Sequence, residues 1–274
     1  VFPNDVEEKN GKLYQISNRL EVRMGAIESM SKSKKNVIDP EEIIKSYGSD
    51  SARWFMLSDS PPERDINWSD SGIHGSWRFC QKIWSTITSN LSILNNKNIT
   101  LHNQGNSENA RMLLQNTHQS LEAVTKSIEN FQMNVGVAKI YELINYISKF
   151  KIFDENDKKA LKASLTILIR IIEPMVPHLA EECWNLCGNN KSLTSEPWPD
   201  VDEKYLIKET ARIVIQVNGK RRAEVETKVE ASEEEIMKEV KNIKSVNDQI
   251  RNSIIVKKIF VPNKILNIVI SKNE

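Results

Sequence analysis

The hydrophobic periodicity of this chain changes once along its length, and this change restricts the possible fold more than any other feature. From Ile73 to Leu94, apolar residues recur at alternating spacings of four and three, which places one apolar stripe on a helix of about six turns. From Ile213 onward, apolar and polar residues alternate as they do in a half-buried strand. The sequence therefore predicts a mixed, mainly α chain in which a helical bundle precedes a small α+β domain.

The helical region is expected to form a bundle of about four to five helices. A second apolar stripe is predicted to carry Leu114, His118, Leu121, Thr125, Ile128 and Phe131. Asn134-Val135-Gly136 is expected either to bend this second helix or to start a third one that runs to Lys149. Further helices are predicted over residues 157–172 and 180–187, separated by Pro174 and Pro177. Because His118 lies on the apolar stripe, we interpret it as a core residue rather than a metal ligand.

The last part of the chain is predicted to contain two hairpins and one helix. The predicted elements are strands at 213–217 and 223–227, a helix from Ser232 to about Val246, and strands at 258–261 and 265–270. Asn218-Gly219 is typical of a tight turn, and Ser232 followed by three glutamates indicates a capping box. These elements form a β-β-α-β-β domain of about sixty residues.

The first part of the chain is predicted to combine short strands with two short helices. Asn10-Gly11 indicates a hairpin turn. Asp39-Pro40 is typical of a helix start and Gly48 of a helix end. Ser49 or Asp50 is expected to cap the next helix.

These patterns divide the chain into four parts. We expect the tail of a larger domain over residues 1–67, a helical bundle over 68–188, a linker over 189–210 and the α+β domain over 211–274. The linker is polar and contains prolines, and Trp198 is expected to pack it down.

Composition limits the classes of function. The net charge is +1, so any contact with nucleic acid has to come from local basic patches. The most apolar run, 161–186, is interrupted by charged residues and prolines, which predicts no membrane span. Three cysteines fit a reducing cytoplasm. Cys183, Cys187 and His178 lack a fourth ligand, so no metal site is predicted.

The segment from Glu28 to Asn36 is the most informative for function. It contains three lysines, and two serines flank Lys32. A mobile cationic loop in front of a helix suits a polyanionic substrate, because its charge can close over the substrate and then withdraw. The alternative is a solvated loop without a binding role.

This segment resembles the Lys-Met-Ser-Lys-Ser signature loop of class I aminoacyl-tRNA synthetases. Ser29 stands in place of the first lysine, and Met30-Ser31-Lys32-Ser33 is intact. We call residues 29–36 the signature loop. From Met30 to its end, the chain is similar to leucyl-tRNA synthetases of the bacterial type.

Four stretches in order carry this resemblance. They are Met30-Ser31-Lys32-Ser33-Lys34-Lys35-Asn36 with Ala52-Arg53, Trp68-Ser69-Asp70-Ser71-Gly72, Pro174 to Trp184 with Pro197-Trp198-Pro199, and Gln216-Val217-Asn218-Gly219-Lys220 with Val261-Pro262. The fourth stretch separates the leucyl enzymes from the isoleucyl, valyl and methionyl enzymes, which remain the alternative. Asn263 replaces a glycine usual in the family, and asparagine tolerates the positive φ of such a turn.

The resemblance implies activation of leucine by ATP, with Mg²⁺ accompanying ATP, and transfer of leucine to tRNA-Leu. It implies that Lys32 is catalytic and that Met30, Ser31, Lys32, Ser33 and Lys34 bind ATP. Lys34 or Lys35 is expected to supply part of the charge missing at Ser29. No His-Ile-Gly-His-type motif is found in the chain, and the leucine site is expected upstream, so the chain alone is predicted to be inactive.

The resemblance also implies contact with tRNA. The candidate residues are Arg78, Lys82, Lys220, Arg221, Arg222, Lys257 and Lys258. We expect the last five to meet at one edge of the C-terminal domain, with Lys257 and Lys258 on a strand next to Lys220. The alternative for each group is a solvated surface. Two other classes stay open for the whole chain: a non-catalytic RNA-binding module and a helical scaffold for protein interactions.

Overall fold

The computed structural model describes residues 1, 5–99, 107–207, 210–251 and 253–272. It divides into two compact units, Val1–Val201 and Asp202–Glu274. No helix in these ranges is long and apolar enough to cross a membrane.

The first unit begins with a small antiparallel sheet of β1 (Val6–Lys9), β2 (Lys12–Gln15) and β3 (Glu21–Val22). The predicted Asn10-Gly11 turn joins β1 to β2, and both of its residues have positive φ. Helix α1 (Pro40–Tyr47) also begins as predicted, because Asp39 Oδ1 accepts a hydrogen bond from the Glu41 N–H at 2.9 Å. These turns and caps are local, and the sequence predicted them correctly.

Helix α2 (Ser49–Ser58) follows α1 across Gly48. The expectation that Ser49 or Asp50 caps α2 was wrong, since Gly48 occupies the cap position and no side chain caps this helix. The carboxylate of Asp50 instead bonds to a distant helix.

The bundle consists of α3 (Asp70–Thr88), α4 (Leu91–Leu94), α5 (Glu108–Glu129), α6 (Met133–Ile147), α7 (Glu155–Ile172) and α8 (Pro177–Leu186). The single helix predicted through Leu94 is interrupted between α3 and α4. There Ser89 and Asn90 donate side-chain hydrogen bonds back to the Thr86 carbonyl, which competes with helix continuation. His118 is buried in the bundle, as predicted.

Phe131 does not lie on the buried stripe of α5, contrary to prediction. Helix α5 ends in a Schellman motif, in which Phe131 N–H donates to Ile128 and Gln132 N–H donates to Ser127. Phe131 takes the left-handed position with φ 55°, and its side chain is 70% exposed. The next helix passes very close to α5, because a Cβ at Gly136 would lie 2.3 Å from Ser127 Oγ.

The stretch after α8 packs on the bundle. Leu193 is buried and its N–H donates to Glu181 Oε2 at 2.9 Å. Trp198 Nε1 donates to Thr125 Oγ1 at 2.9 Å, and the Arg170 guanidinium donates to the Pro197 carbonyl. Trp198 thus holds this stretch down, as expected.

The second unit contains β4 (Thr210–Val217), β5 (Lys220–Lys228), α9 (Glu233–Val240), α10 (Lys244–Ile250), β6 (Ser253–Val261) and β7 (Ile265–Lys272). The sheet order is β5-β4-β7-β6, with β4 and β7 parallel and the other pairs antiparallel. Ile213, Leu266 and Ile236 belong to the core between the sheet and the helices.

Local signals in this unit predicted its caps and turns correctly, but one element differs. Ser232 and Glu235 form the full capping box, and Asn263 takes φ 60° in the β6–β7 turn. The helix predicted to reach Val246 is two helices, because residues 241–243 form a turn between α9 and α10.

Candidate functional site

The signature loop is closed by the side chain of Asn36. Its Oδ1 accepts the Ser31 N–H at 2.8 Å, and its Nδ2 donates to the Ser29 carbonyl at 3.3 Å. The two ends of the loop are therefore joined directly in front of α1.

Inside the loop, residues Lys32–Lys34 form one turn of 3₁₀-helix. Ser31 caps this turn, because its Oγ accepts the Lys34 N–H at 3.3 Å, and it lies 3.2 Å from Ser33 Oγ. Lys35 ends the turn in the left-handed conformation with φ 57°. The two serines thus form hydrogen bonds within the loop.

The lysines of the loop differ in their partners. Lys34 Nζ lies 2.7 Å from Glu28 Oε2, and the hydrogen bond from Lys34 lowers the pKa of that carboxyl. Lys32 is exposed, and its ammonium forms no hydrogen bond or ion pair within the described part of the chain. Lys32 is therefore available for an anionic ligand, whereas Lys34 is already engaged.

Met30 attaches the loop to an apolar groove. The groove has a volume of about 350 Å³ and is lined by Met30, Ile38, Pro40, Ile43, Ile44, Ala52, Phe55, Met56, Ile66 and Trp68. The Met30 side chain is 47% exposed, so it contacts the groove without being buried in it.

Helix α2 connects the loop region to the bundle through two charged side chains. Asp50 Oδ2 accepts the Leu179 N–H at the start of α8 at 2.6 Å, and Asp50 Oδ1 lies 2.9 Å from His178 Nδ1. Arg53 donates to the Pro174 carbonyl at 2.7 Å and to the Met175 carbonyl at 3.1 Å. We call this pair the Asp50–Arg53 anchor. In the sequence, Asp50 was assigned only as a possible cap of its own helix, and no local pattern indicates the contacts of Asp50 or Arg53 with residues 174–179.

The two candidate residues on α3 have different surroundings. Arg78 is exposed, and no described residue pairs with its guanidinium. Lys82 is half-buried and donates to Asn145 Oδ1 on α6 at 2.6 Å. Lys82 therefore joins two helices, whereas the Arg78 guanidinium makes no such contact within the described residues.

The C-terminal basic cluster, Lys220, Arg221, Arg222, Lys257 and Lys258, does not meet at one edge, contrary to expectation. Lys220 lies on β5 and Lys258 on β6, which are the two outer strands of the sheet. The residues share one row, since Lys220 pairs with Val217, Val217 with Ile268 and Ile268 with Lys258. Three strand spacings separate their backbones by about 14 Å.

Two members of this cluster are paired with carboxylates. Arg221 contacts Glu224 at 2.7 Å, and Lys258 contacts Glu233 at 2.8 Å. Lys220, Arg222 and Lys257 are exposed and have no ion-pair partner among the described residues. Glu224 and Glu233 thus offset the charges of Arg221 and Lys258, whereas Lys220, Arg222 and Lys257 remain available to a ligand.

The cysteines lie in apolar surroundings. Burial raises the pKa of Cys80 to about 11 and the pKa of Cys183 to about 12, so both thiols stay protonated at neutral pH. Within the described ranges, no group of three or more His, Cys, Asp and Glu side chains is placed to hold a metal ion.

Two family models match the chain. The anticodon-binding domain of tRNA ligases matches residues 110–265, more than half of the chain, and tRNA synthetases class I (I, L, M and V) match residues 22–69, which include the signature loop. The chain therefore belongs to the class I tRNA ligases that carry this anticodon-binding domain.

Within this family the chain is similar to leucine–tRNA ligases. It is 41% identical to that of Parvibaculum lavamentivorans over 97% of this chain, and 40% identical to that of Maricaulis maris over 98% of it. The crystal structure of the ternary complex of Agrobacterium radiobacter K84 agnB2 LeuRS-tRNA-LeuAMS is 28% identical in sequence, with a TM-score of 0.74 over 88% of this chain. The chain spans 31% of the length of each of these proteins. The resemblance to leucyl-tRNA synthetases and the mainly α fold are thereby confirmed.

Proposed function

We propose that this chain is the part of a leucine–tRNA ligase that brings a mobile lysine to ATP and holds the body of tRNA-Leu. The whole ligase activates leucine with ATP and transfers it to tRNA-Leu in the cytoplasm. The observation that carries this proposal is the exposed ammonium of Lys32 on a capped turn, which has no partner among the residues that the structure describes.

Lys32 acts on the phosphates of ATP. When the carboxylate of leucine attacks the α-phosphorus, negative charge grows on the phosphate oxygens, and a mobile ammonium stabilises that charge more in the transition state than in the ground state. Ser31 and Asn36 keep the loop backbone in one shape, so that Lys32 approaches in a defined orientation. Mg²⁺ arrives bound to the phosphates of ATP.

The tRNA is held by cationic side chains that are not engaged elsewhere. On this basis Arg78, Lys220, Arg222 and Lys257 are the strongest candidates for phosphate contacts, and Lys82, Arg221 and Lys258 contribute less.

The amino acid is tested by exchange of pyrophosphate into ATP, measured on the full-length ligase that contains this chain. Leucine should support exchange, and isoleucine, valine and methionine should not. Exchange that depends on one of these three instead would assign the chain to another class I ligase.

A further inference from the structure

The loop between α6 and α7, residues 148–154, combines aromatic and basic side chains in one place. A shallow pocket of about 340 Å³ is lined by Asn109, Tyr146, Lys149, Phe150, Lys151 and Phe153. Phe153 is 77% exposed, although burying a phenylalanine side chain is favourable by about 1.5–3 kcal/mol. The exposed ring shares this pocket with two lysines, so an apolar face and two cationic groups are offered to the same ligand.

The backbone under these side chains is fixed by hydrogen bonds. Phe153 N–H donates to Asp157 Oδ2 at 2.9 Å, and Asn109 Nδ2 donates to the Lys151 carbonyl at 2.9 Å. Phe150 N–H donates to the Ile147 carbonyl at 3.0 Å. The ring of Phe153 thus stands on an ordered backbone, and a ligand need not order the loop in order to bind it.

The carboxylates near this loop accept hydrogen bonds or form ion pairs within the protein. Asp157 is buried and accepts hydrogen bonds from Phe153 and Ser107, while Asp154 accepts the Asp157 N–H at 2.8 Å. Glu155 is paired with Lys158 at 2.6 Å. The ammonium groups of Lys149 and Lys151 are exposed, and neither has a partner among the described residues. Two ammonium groups that are open to an anionic ligand therefore lie beside the exposed ring of Phe153.

We propose that this pocket binds an unstacked nucleobase of tRNA, with Phe153 stacking on the base and Lys149 and Lys151 contacting the flanking phosphates. The inference rests on the proposed function, in that it assumes that the chain binds tRNA. Proteins bind single-stranded RNA by this combination of aromatic stacking and cationic contacts. Lys149 and Lys151, which have no partner in the described ranges, favour a polyanion over an apolar protein segment as the occupant.

The test measures affinity of the 274-residue chain for two probes: an oligoadenylate of about ten nucleotides and a blunt RNA duplex with the same number of phosphates. Phe153→Ala should weaken oligoadenylate binding by about 5- to 100-fold and leave duplex binding nearly unchanged. Phe153→Trp should retain binding, because a larger ring still stacks.

Phe131→Ala is the matched control. Phe131 is also a highly exposed phenylalanine, 70% against 77%, but it lies at the opposite end of α6 from the pocket. This variant should bind both probes as the unsubstituted chain does. Replacing Lys149 and Lys151 by alanine should reduce the salt dependence of oligoadenylate binding by about 0.7 log unit of slope for each phosphate that is no longer neutralised.

The outcomes separate the two proposals. If the unsubstituted chain binds tRNA-Leu and oligoadenylate while Phe153→Ala binds them equally well, this pocket is not a base site. An equal decrease in affinity for oligoadenylate and duplex would also overturn stacking. If the unsubstituted chain binds neither tRNA-Leu nor oligoadenylate, tRNA holding by this chain is wrong, and this inference fails with it.

Discussion

The signature loop and the C-terminal basic cluster are both rich in cationic side chains, but they differ in how those charges are placed. In the loop, one turn concentrates the lysines, and Lys32 is left without a partner among the described residues while Glu28 engages Lys34. In the C-terminal unit, the charges are spread across both edges of a sheet, and Glu224 and Glu233 neutralise two of them. The number of lysines and arginines in a segment is therefore a poor measure of the charge that a ligand meets.

The signature loop and the C-terminal basic cluster also differ in how the rest of the protein holds them in place. The loop precedes α1 and α2, and the Asp50–Arg53 anchor bonds α2 to the start of α8 and to the turn before it. The role proposed for Lys32 needs such support, because small displacements are costly when charge must be met in the transition state. Phosphate contacts spread over a sheet tolerate more variation, since each contributes a separate increment to affinity.

The largest expected effect is that of Lys32→Ala in the full-length ligase. The rate of leucine activation should fall by about 10²–10³-fold, the usual result of removing one electrostatic interaction with the transition state. Pyrophosphate exchange measures it, and the affinity for leucine should barely change. Lys34→Ala is the control and should reduce the rate by less than about tenfold, because Glu28 already engages that ammonium.

A reversed order, with Lys34→Ala the more damaging variant, would mean that Lys34 leaves Glu28 to contact ATP. Glu28→Gln then sharpens the comparison. It frees Lys34 without removing it, and partial recovery of activity in Lys32→Ala, Glu28→Gln would assign the spare charge to Lys34.

The next effect concerns the anchor. Asp50→Ala removes a helix-start bond to α8 and the interaction with His178, and should destabilise the first unit by about 1–2 kcal/mol. All six tryptophans precede residue 202, so tryptophan fluorescence during urea unfolding reports the first unit. Asp59→Ala, an exposed carboxylate just after the same helix, should change stability by less than about 0.5 kcal/mol. Equal midpoints for the two variants would show that the anchor adds nothing to stability.

What the sequence predicted correctly depends on neighbours along the chain. Asp39-Pro40 starts a helix, Asn10-Gly11 turns a hairpin and Ser232 with Glu235 forms a capping box, because each device involves residues within about four positions of one another. The closure of the signature loop by Asn36 is also local, with bonds that span five and seven residues, but the sequence analysis did not assign that role to Asn36.

What could not be predicted depends on pairing between distant segments. Strand β7 inserts between β4 and β6, which separates Lys258 from Lys220, and no local pattern encodes that order. Likewise, Asp50 looked like the cap of its own helix, but its bonds to Leu179 and His178 span 129 and 128 residues. Lys82 looked available until the fold brought Asn145 against it.

The smallest expected effect concerns the C-terminal basic cluster. Lys220→Ala with Arg222→Ala should weaken tRNA-Leu binding and lower the salt slope by up to about 0.7–0.9 log unit for each phosphate interaction removed, whereas Arg221→Ala should change the slope by clearly less. The reason is that the Arg221 guanidinium already contacts Glu224, so a phosphate must compete with that carboxylate. Affinity measured across a salt series compares the two variants directly, and circular dichroism checks that the sheet persists.

A larger decrease from Arg221→Ala would show that the ion pair between Arg221 and Glu224 opens when RNA binds. It would also show that partners in the free chain do not predict which charges contact RNA. If neither variant changes the slope while both stay folded, this cluster serves solubility, and the phosphate contacts lie on the helical bundle.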